Sequence, residues 1–223
     1  MRTLHFAIVA LFIIRMSAIA DDAHVTRVFV EQEISKVVEV LNDDDLAPDL
    51  KMSKVREIAY AMFDLDAMVK IVVGRHRRRF SKEQLREFTD LFAKQIESSF
   101  FNKVESFGEV TFEYDTATKT NAHYYVPSHV DFRGERYSIL YKLRQNKDGW
   151  RVWDVVVEKI STVYLNKSQY QELLHRMSIE ELLVMMRKKN AALSAESAAA
   201  DLRLQRPLGS NTPATLNKDH QKE

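Results

Sequence analysis

Histidine and aspartate are the residues of this sequence whose side chains could hold a metal ion or move a proton. The seven histidines include no pair at the HExxH spacing of a zinc protease. The best candidate group is His123, His129 and Asp131, but Pro127 separates the first from the other two, and we interpret all three as exposed or half-buried strand residues. The chain also lacks cysteine, a GxSxG nucleophile turn and a glycine-rich phosphate loop. The sequence therefore predicts no catalytic residue, no metal, no cofactor and no enzyme.

Arginine is concentrated in one short segment, Arg75-His76-Arg77-Arg78-Arg79. Guanidinium groups bind phosphate and carboxylate oxygens through paired N–H donors, so this segment could contact a lipid headgroup or an acidic face of a partner protein. The alternative is a solvated link between two helices, with its cations favoured near the C-terminus of the preceding helix. Both interpretations stay open. Nucleic acid is not an expected partner, because 33 basic residues are balanced by 32 acidic ones.

The apolar residues that must position these groups change their period along the chain. A helical period predicts helices over 25–41, 50–60, 64–73 and 81–105, the last opened by a capping box of Ser81 and Gln84. After Gly108 the period becomes two, which predicts strands over 110–114, 121–132, 136–144 and 150–160. Helical spacing returns over 167–189. The sequence thus predicts a single α+β domain with an antiparallel meander sheet packed against several helices.

The two ends of the chain differ from the middle in their pattern of apolar residues. Residues 1–20 have a basic start at Arg2, an apolar run over Leu4–Ile14 and small residues at Ser17-Ala18-Ile19-Ala20, the pattern of a cleaved signal peptide. Arg15 ends the apolar run well short of the ~20 residues that a membrane-spanning helix needs. Residues 191–223 begin with an Ala/Ser stretch and lose apolar periodicity, which predicts a disordered tail after a folded domain over 21–190.

The strands carry more aromatic and β-branched residues than one buried face requires. Alternation predicts that Tyr137, Ile139, Tyr141 and Leu143 share one face, and that Trp153, Val155 and Val157 share a face of the next strand. Their neighbours Leu140, Val152 and Val156 are apolar as well. Such residues can form a core on both sides of the sheet, or part of them can line an apolar cavity for a ligand.

Two blocks of this sequence resemble the MlaC family, the periplasmic phospholipid-binding proteins also called toluene-tolerance proteins, with hopanoid-associated relatives. The first block is Phe63-Asp64-Leu65-Asp66, Val73-Gly74-Arg75 and Phe88-Thr89-Asp90-Leu91-Phe92. The second block is Val130-Asp131-Phe132, the strand from Trp150 to Glu158, Ser161 and Ser168-Gln169-Tyr170. The chain departs from the family pattern at Arg77, where an aromatic residue is usual, and at Leu165-Asn166-Lys167, where Asn-Tyr-Arg is usual. The resemblance covers about residues 25 to 190.

The resemblance implies a non-enzymatic lipid carrier in the periplasm. Such a protein would hold a phospholipid, a hopanoid or a related amphiphile and exchange it between an inner-membrane lipid ABC transporter complex and an outer-membrane lipoprotein complex, which maintains outer-membrane lipid asymmetry. The alternative of a different class is an envelope adaptor protein that binds no ligand and whose apolar surface is core.

A carrier needs an apolar pocket for the acyl chains and an opening for the polar headgroup. We expect the pocket between the sheet and the helices before and after it. The predicted lining residues are Phe92, Ile96 and Phe100 from the long helix, and Tyr137, Ile139, Tyr141, Trp153, Val155 and Val157 from the strands. Arg75, Arg77, Arg78 and Arg79 are predicted to contact the headgroup or a partner protein.

Overall fold

Six helices and a six-stranded sheet make up the part of the chain that the structure describes. The structure is a computed structural model that describes the backbone of residues 2–104, 110–132 and 134–204, and the side chains of residues 22–98, 110–132 and 134–195. The helices are α1 (Arg2–Leu41), α2 (Pro48–Met62), α3 (Leu65–Val73), α4 (Lys82–Val104), α5 (Thr162–Arg176) and α6 (Ile179–Leu204), with a short 3₁₀ helix at Gly74–Arg79. The predicted α+β class is confirmed.

The sheet is antiparallel throughout. Its strands are β1 (Thr111–Tyr114), β2 (Thr118–Thr120), β3 (His123–Phe132), β4 (Glu135–Asn146), β5 (Gly149–Val157) and β6 (Ile160–Ser161), in the spatial order β1-β3-β4-β5-β6. The short strand β2 pairs with the first residues of β3, and β1 pairs with its last residues. Strands β3, β4 and β5 form the predicted meander.

Local hydrogen bonds explain where the long helix α4 begins. The backbone N–H of Gln84 donates to Ser81 Oγ at 3.1 Å, and the backbone N–H of Ser81 donates to Gln84 Oε1 at 3.0 Å. These two bonds satisfy donors that the first turn of a helix leaves without partners. The predicted capping box is confirmed.

The helical region after the sheet is two helices and not the single run predicted over 167–189. Helix α5 already begins at Thr162, because Ser161 Oγ accepts the backbone N–H of Tyr164 at 3.1 Å. The helical conformation is interrupted at Met177–Ser178, where Ser178 and Glu181 form a second capping box that begins α6. Helix α6 continues past Ala191 to Leu204, and residues 205–223 of the predicted tail lie outside the described part of the chain.

Candidate functional site

Buried apolar side chains form two hydrophobic clusters. The sheet cluster joins α1 to one face of the sheet, and its buried members are Ala23, Val30, Met62, Ala117, Tyr124, Val126, Tyr141, Leu143 and Val152. The helix cluster joins α3, α4, α5 and α6, and its buried members include Phe88, Phe92, Tyr170, Leu174, Leu182, Leu183 and Met186. Phe63, between α2 and α3, packs against both.

The two faces of the sheet differ in chemistry. One face, the apolar face, carries Tyr124, Val126, Tyr141 and Leu143, which pair across β3 and β4 and pack beneath α1. The opposite face carries charged pairs between neighbouring strands, including Lys142 Nζ with Asp154 Oδ2 at 2.9 Å and Arg136 Nη1 with Asp131 Oδ2 at 3.4 Å. Its apolar residues Pro127, Leu140 and Val156 form one cross-strand row. The apolar face is therefore the better candidate for an apolar ligand.

Helix α1 covers only part of the apolar face. Beyond Tyr141, which is 5% exposed, lies an apolar stripe whose members are half-buried or exposed, namely Phe112, Tyr114, Tyr137, Ile139, Val155 and Val157. The pairing places Tyr137 and Ile139 of β4 beside Phe112 and Tyr114 on one side, through β3, and beside Val155 and Val157 on the other. Val157, at the outer end, is 40% exposed. The apolar stripe is a surface that the described residues leave partly uncovered, and its β3 row contains one polar residue, the buried Ser128 between Tyr114 and Ile139.

Two tyrosines of the apolar face lie in surroundings that disfavour a charge. Burial raises the pKa of the Tyr141 hydroxyl well above its usual range, and burial together with the Glu31 carboxylate does the same for Tyr114. Both hydroxyls therefore remain neutral at any physiological pH. The apolar face carries polar atoms but no charge at these positions, which suits contact with hydrocarbon.

Five of the six strand residues predicted to line the pocket lie on the apolar face. These are Tyr137, Ile139, Tyr141, Val155 and Val157. The prediction that Trp153 shares their face is wrong. The ladder between β4 and β5 shifts its register at Lys142/Leu143, so that Leu143 pairs with Val152, Lys142 pairs with Asp154 and Trp153 is the extra residue. The Trp153 ring lies 5.3 Å from the His123 ring and 5.4 Å from Lys142 Nζ, on the opposite face.

The helical candidates belong to the helix cluster and not to the apolar face. Phe92 is fully buried, its ring 6.1 Å from that of Phe88 and 6.1 Å from that of Tyr170. Ile96 packs at the border of the same cluster. The Tyr170 hydroxyl donates to Gln95 Oε1 at 2.7 Å, and burial raises its pKa to about 12. Phe100 lies outside the residues whose side chains are described. The structure therefore places Phe92 and Ile96 away from the strand candidates.

The arginine segment 75–79 forms the short 3₁₀ helix and divides into two kinds of residue. Arg79 donates to the main-chain carbonyls of Leu174 and of Met177, the latter at 3.2 Å, and Arg75 lies 2.7 Å from His175 Nε2. These contacts fix the C-terminal end of α5, which gives Arg79 a structural role that the sequence did not indicate. The side chains of Arg77 and Arg78 are exposed and form no hydrogen bond to α5.

A cleft opens between α3, the 3₁₀ helix and the start of α4. Its outer part has a volume of about 690 Å³ and its inner part about 220 Å³, and both parts are bordered by Lys70, Arg77 and Leu85. The outer part is also bordered by Arg75, Arg78, Phe80, Ser81 and Lys82. The sequence predicted the arginines but missed Lys70 and Lys82. Lys70 stands on the exposed side of the amphipathic helix α3, a position that the helical period predicted over 64–73 could have revealed.

The histidines predicted to have no metal or catalytic role are dispersed. His129 Nε2 lies 3.4 Å from Asp115 Oδ2, Asp131 contacts Arg136, and His123 packs against Trp153. Within the described residues no three histidine, cysteine or acidic side chains lie close enough together to hold a metal ion. Among the same residues, none of the helices has the length and apolar content needed to cross a membrane.

An antiparallel sheet with one partly covered apolar face, flanked by helices, defines an α+β protein with a surface for an apolar ligand. The model of the MlaC protein family matches residues 31–188 of this chain, and the chain belongs to this family. Membership confirms the predicted class, a non-enzymatic phospholipid-binding carrier.

Several solved structures share the fold, and one of them holds a bound ligand. It is that of a phospholipid-binding protein from Ralstonia solanacearum in complex with a phospholipid, to which this chain is similar with a TM-score of 0.68 and 20% identity, over 75% of this chain and 98% of that one. At this level of identity the likeness establishes the fold alone. No curated protein matches the sequence.

Proposed function

We propose that this protein carries a phospholipid through the periplasm with the acyl chains seated on the apolar stripe of the sheet. The observation that carries the proposal is the stripe itself, six neighbouring apolar side chains across β1, β4 and β5 that the described residues cover only in part. The phospholipid in the structure of the Ralstonia protein, which shares this fold, supports the choice of ligand.

The energetic argument is the removal of hydrocarbon from water. Each methylene group that leaves water contributes about 0.8 kcal/mol, so a phospholipid with two long acyl chains does not cross an aqueous compartment unassisted at a useful rate. A partly covered apolar face offers those chains a surface that they can reach without unfolding the protein. The charged opposite face would reject them, since hydrocarbon cannot replace the hydrogen bonds of buried ion pairs. The apolar face is therefore the proposed binding face.

The proposed location rests on the predicted signal peptide over 1–20. Directly after it, Asp22 Oδ2 accepts the Tyr124 hydroxyl at 3.0 Å and Lys119 Nζ at 3.2 Å, and these two donors lower the pKa of the Asp22 carboxyl. Ala23 and Thr26 are buried against the sheet. The first residues of the proposed mature chain are thus part of the fold. Intact-mass measurement of protein from the cell envelope should give a chain beginning at Asp21, and a mass that includes Met1 would contradict the proposal.

The proposed exchange partners are an inner-membrane lipid ABC transporter complex and an outer-membrane lipoprotein complex, as the family resemblance implies. A carrier between such complexes must release its ligand as well as bind it. The outward increase in exposure along the stripe, from Tyr141 to Val157, supports entry and release at the β5 end of the sheet.

Native mass spectrometry of the protein from the envelope tests the proposal most directly. We expect a folded species whose mass exceeds that of the chain by one amphiphile, and loss of that mass difference after organic extraction. The measured mass separates a phospholipid from a hopanoid. Folded protein that never carries an amphiphile, even after incubation with phosphatidylglycerol vesicles, would favour the envelope adaptor and contradict the carrier.

A further inference from the structure

We propose that the cleft between α3 and α4 is a second binding site, specific for a phosphoryl group, separate from the apolar stripe. The ligand chemistry is a phosphate ester or free phosphate held by Lys70, Arg77, Arg78 and Lys82. The proposal deepens the proposed function, because a phospholipid headgroup carries such a group, but it rests on different residues.

The cleft exists because α4 diverges from α3 after the 3₁₀ helix. Gly74 makes this turn possible with a φ of +51°, and a Cβ atom there would lie 2.5 Å from Gln171 Nε2 of α5. The chain therefore passes close to α5 and then turns away into α4. Phe80 and Leu85 form the apolar part of the cleft wall, while the cations stand around it. The result is a concave site of the size typical for small ligands.

The cations around the cleft are not neutralised by the protein. Within the described part of the chain, Lys70, Arg77, Arg78 and Lys82 make no salt bridge, although the chain has nearly equal numbers of acidic and basic residues. Several arginines elsewhere are paired, for example Arg56 with Glu97 at 2.5 Å and Arg187 with Glu87 at 2.5 Å. Four unpaired cations around one cleft repel one another, and a bound anion would relieve that repulsion.

The backbone that presents Arg77 and Arg78 is held in place. Arg79 donates to two carbonyls at the end of α5, and Arg75 contacts His175. These contacts flank the two exposed arginines on both sides in the sequence. A guanidinium group on a fixed backbone loses less freedom when it binds, and it can donate two parallel hydrogen bonds to a phosphoryl group.

The start of α4 adds a favourable field at the same place. Ser81 and Lys82 border the cleft; Ser81 caps α4, and Lys82 is the first residue of that helix, which runs to Val104. The N-terminus of a helix carries a partial positive charge that stabilises anions. Asp66 is the acidic residue that borders the inner part of the cleft, and it does not border the outer part, which Arg78 and Lys82 border. The phosphoryl group therefore belongs in the outer part.

A charge-matched pair of variants tests the proposal. The double variant Arg77→Gln/Arg78→Gln removes two cations from the cleft, and Arg136→Gln/Arg176→Gln removes two exposed arginines that lie in ion pairs elsewhere. Binding of inorganic phosphate and of glycerol 3-phosphate is measured by NMR titration of the purified protein at low salt. We expect the dissociation constant to rise at least tenfold in the cleft variant and less than twofold in the control, with unchanged melting temperatures in both.

Vesicle binding distinguishes the sources of the phosphoryl group. If soluble phosphates do not bind but phosphatidylglycerol vesicles do, and only the cleft variant loses that binding, the ligand is a lipid headgroup. The proposal would be overturned if phosphate binding were weakened equally in both double variants, or if it were unchanged in the cleft variant. A protein that binds phosphate in the cleft but never carries lipid would leave this site standing and refute the carrier.

Discussion

Trp153 and Val155 are two positions apart on β5, yet their side chains lie on opposite faces of the sheet. Val155 stands opposite Tyr141 and packs against the sheet cluster, whereas the Trp153 ring packs against His123 and Lys142. The register shift at Lys142/Leu143 accounts for the difference. Because of it, the apolar face carries small side chains at this end of β5, and the bulky indole does not obstruct the apolar stripe.

This arrangement predicts that enlarging residues of the stripe displaces lipid. Ile139→Trp and Val155→Trp should each fold and lose the bound amphiphile in native mass spectrometry, because the added ring occupies the space of the acyl chains. Leu140→Trp and Val156→Trp are matched controls, since these residues are also half-buried but point to the opposite face. They should keep the ligand.

Two results would count against the assignment of the stripe. If Ile139→Trp and Val155→Trp both fail to fold, the positions are packed core, where overpacking costs about 1–3 kcal/mol and occasionally more. If both fold and keep a full lipid load, the acyl chains lie elsewhere. The variant Ile139→Ala provides a second test. Truncating a packed isoleucine lowers the free energy of unfolding by about 2–5 kcal/mol, whereas truncating a residue that faces the ligand lowers it less.

Asp154 joins the sheet to α5, and its charge should matter for stability. The carboxylate is fully buried and accepts hydrogen bonds from Lys142 Nζ at 2.9 Å, Ser161 Oγ at 2.7 Å and the Val163 backbone N–H at 3.1 Å. Asp154→Asn leaves the Lys142 ammonium beside a neutral group, so the free energy of unfolding in urea should fall by about 3 kcal/mol. Asp131→Asn, in an exposed pair, should cost less than about 1 kcal/mol. Equal losses would contradict the buried role.

Arg79 should stabilise the fold, unlike its neighbours. Arg79→Ala removes hydrogen bonds from a guanidinium group to the carbonyls of Leu174 and Met177, and hydrogen bonds to charged groups contribute about 1.5–3 kcal/mol. We expect a loss of about 2 kcal/mol in urea unfolding. Arg78→Ala, one residue earlier and exposed, should change the free energy of unfolding by less than about 0.5 kcal/mol. If the two variants are equally stable, the carbonyl contacts of Arg79 contribute nothing.

His76 should make stability fall in mild acid. Burial, followed by the charges of His175, Arg75 and Arg79, lowers the pKa of His76 below its ordinary value of 6.5. Arg79 Nη1 lies 3.2 Å from His76 Nδ1, and an arginine can only donate, so this nitrogen accepts and the ring is neutral. The unfolded chain then binds a proton that the folded protein does not, and the free energy of unfolding should decrease as the pH falls below about 6.5.

The corresponding measurement is the slope of stability against pH between 7 and 5. His76→Asn keeps an acceptor for Arg79 and removes the titrating ring, so its slope should be shallower than that of the unmodified protein. His24→Asn, at an exposed position on α1, should keep the original slope. Parallel curves for the unmodified protein and His76→Asn would show that another group governs the acid response.

Much of the fold could be predicted because local chemistry determines it. The Ser81–Gln84 capping box and the alternation along β3 and β4 are visible in a single sequence, and both are present in the structure. The capping box of Ser178 and Glu181 is equally local, and it would have revealed the break between α5 and α6. The bulge at Trp153 is different. Alternation assumes an uninterrupted ladder, and only pairing with β4 determines where an extra residue is accommodated.

The site was harder to predict because its parts come together through distant contacts. Phe92 has the same apolar character as Ile139, and nothing local shows that it packs against Tyr170 of α5 instead of the sheet. Arg79 and Arg78 are identical neighbours, yet only Arg79 reaches the end of α5. Identity of residue type therefore could not separate a structural arginine from one that is free to bind an anion.

Phe63 is the point where the two hydrophobic clusters meet, and its backbone is bridged to Val152 while the Asp64 N–H donates to Val152 O at 2.8 Å. The proposed consequence is that ligand binding and the stability of the fold depend mainly on different hydrophobic clusters. In the proposed carrier, acyl chains on the apolar stripe exchange apolar contacts only with the sheet cluster, while the fully buried residues of the helix cluster, such as Leu174 and Leu182, keep their neighbours. Under this proposal the lipid binds and leaves without a cycle of unfolding and refolding, because the proposed binding face and the helix cluster have different buried residues.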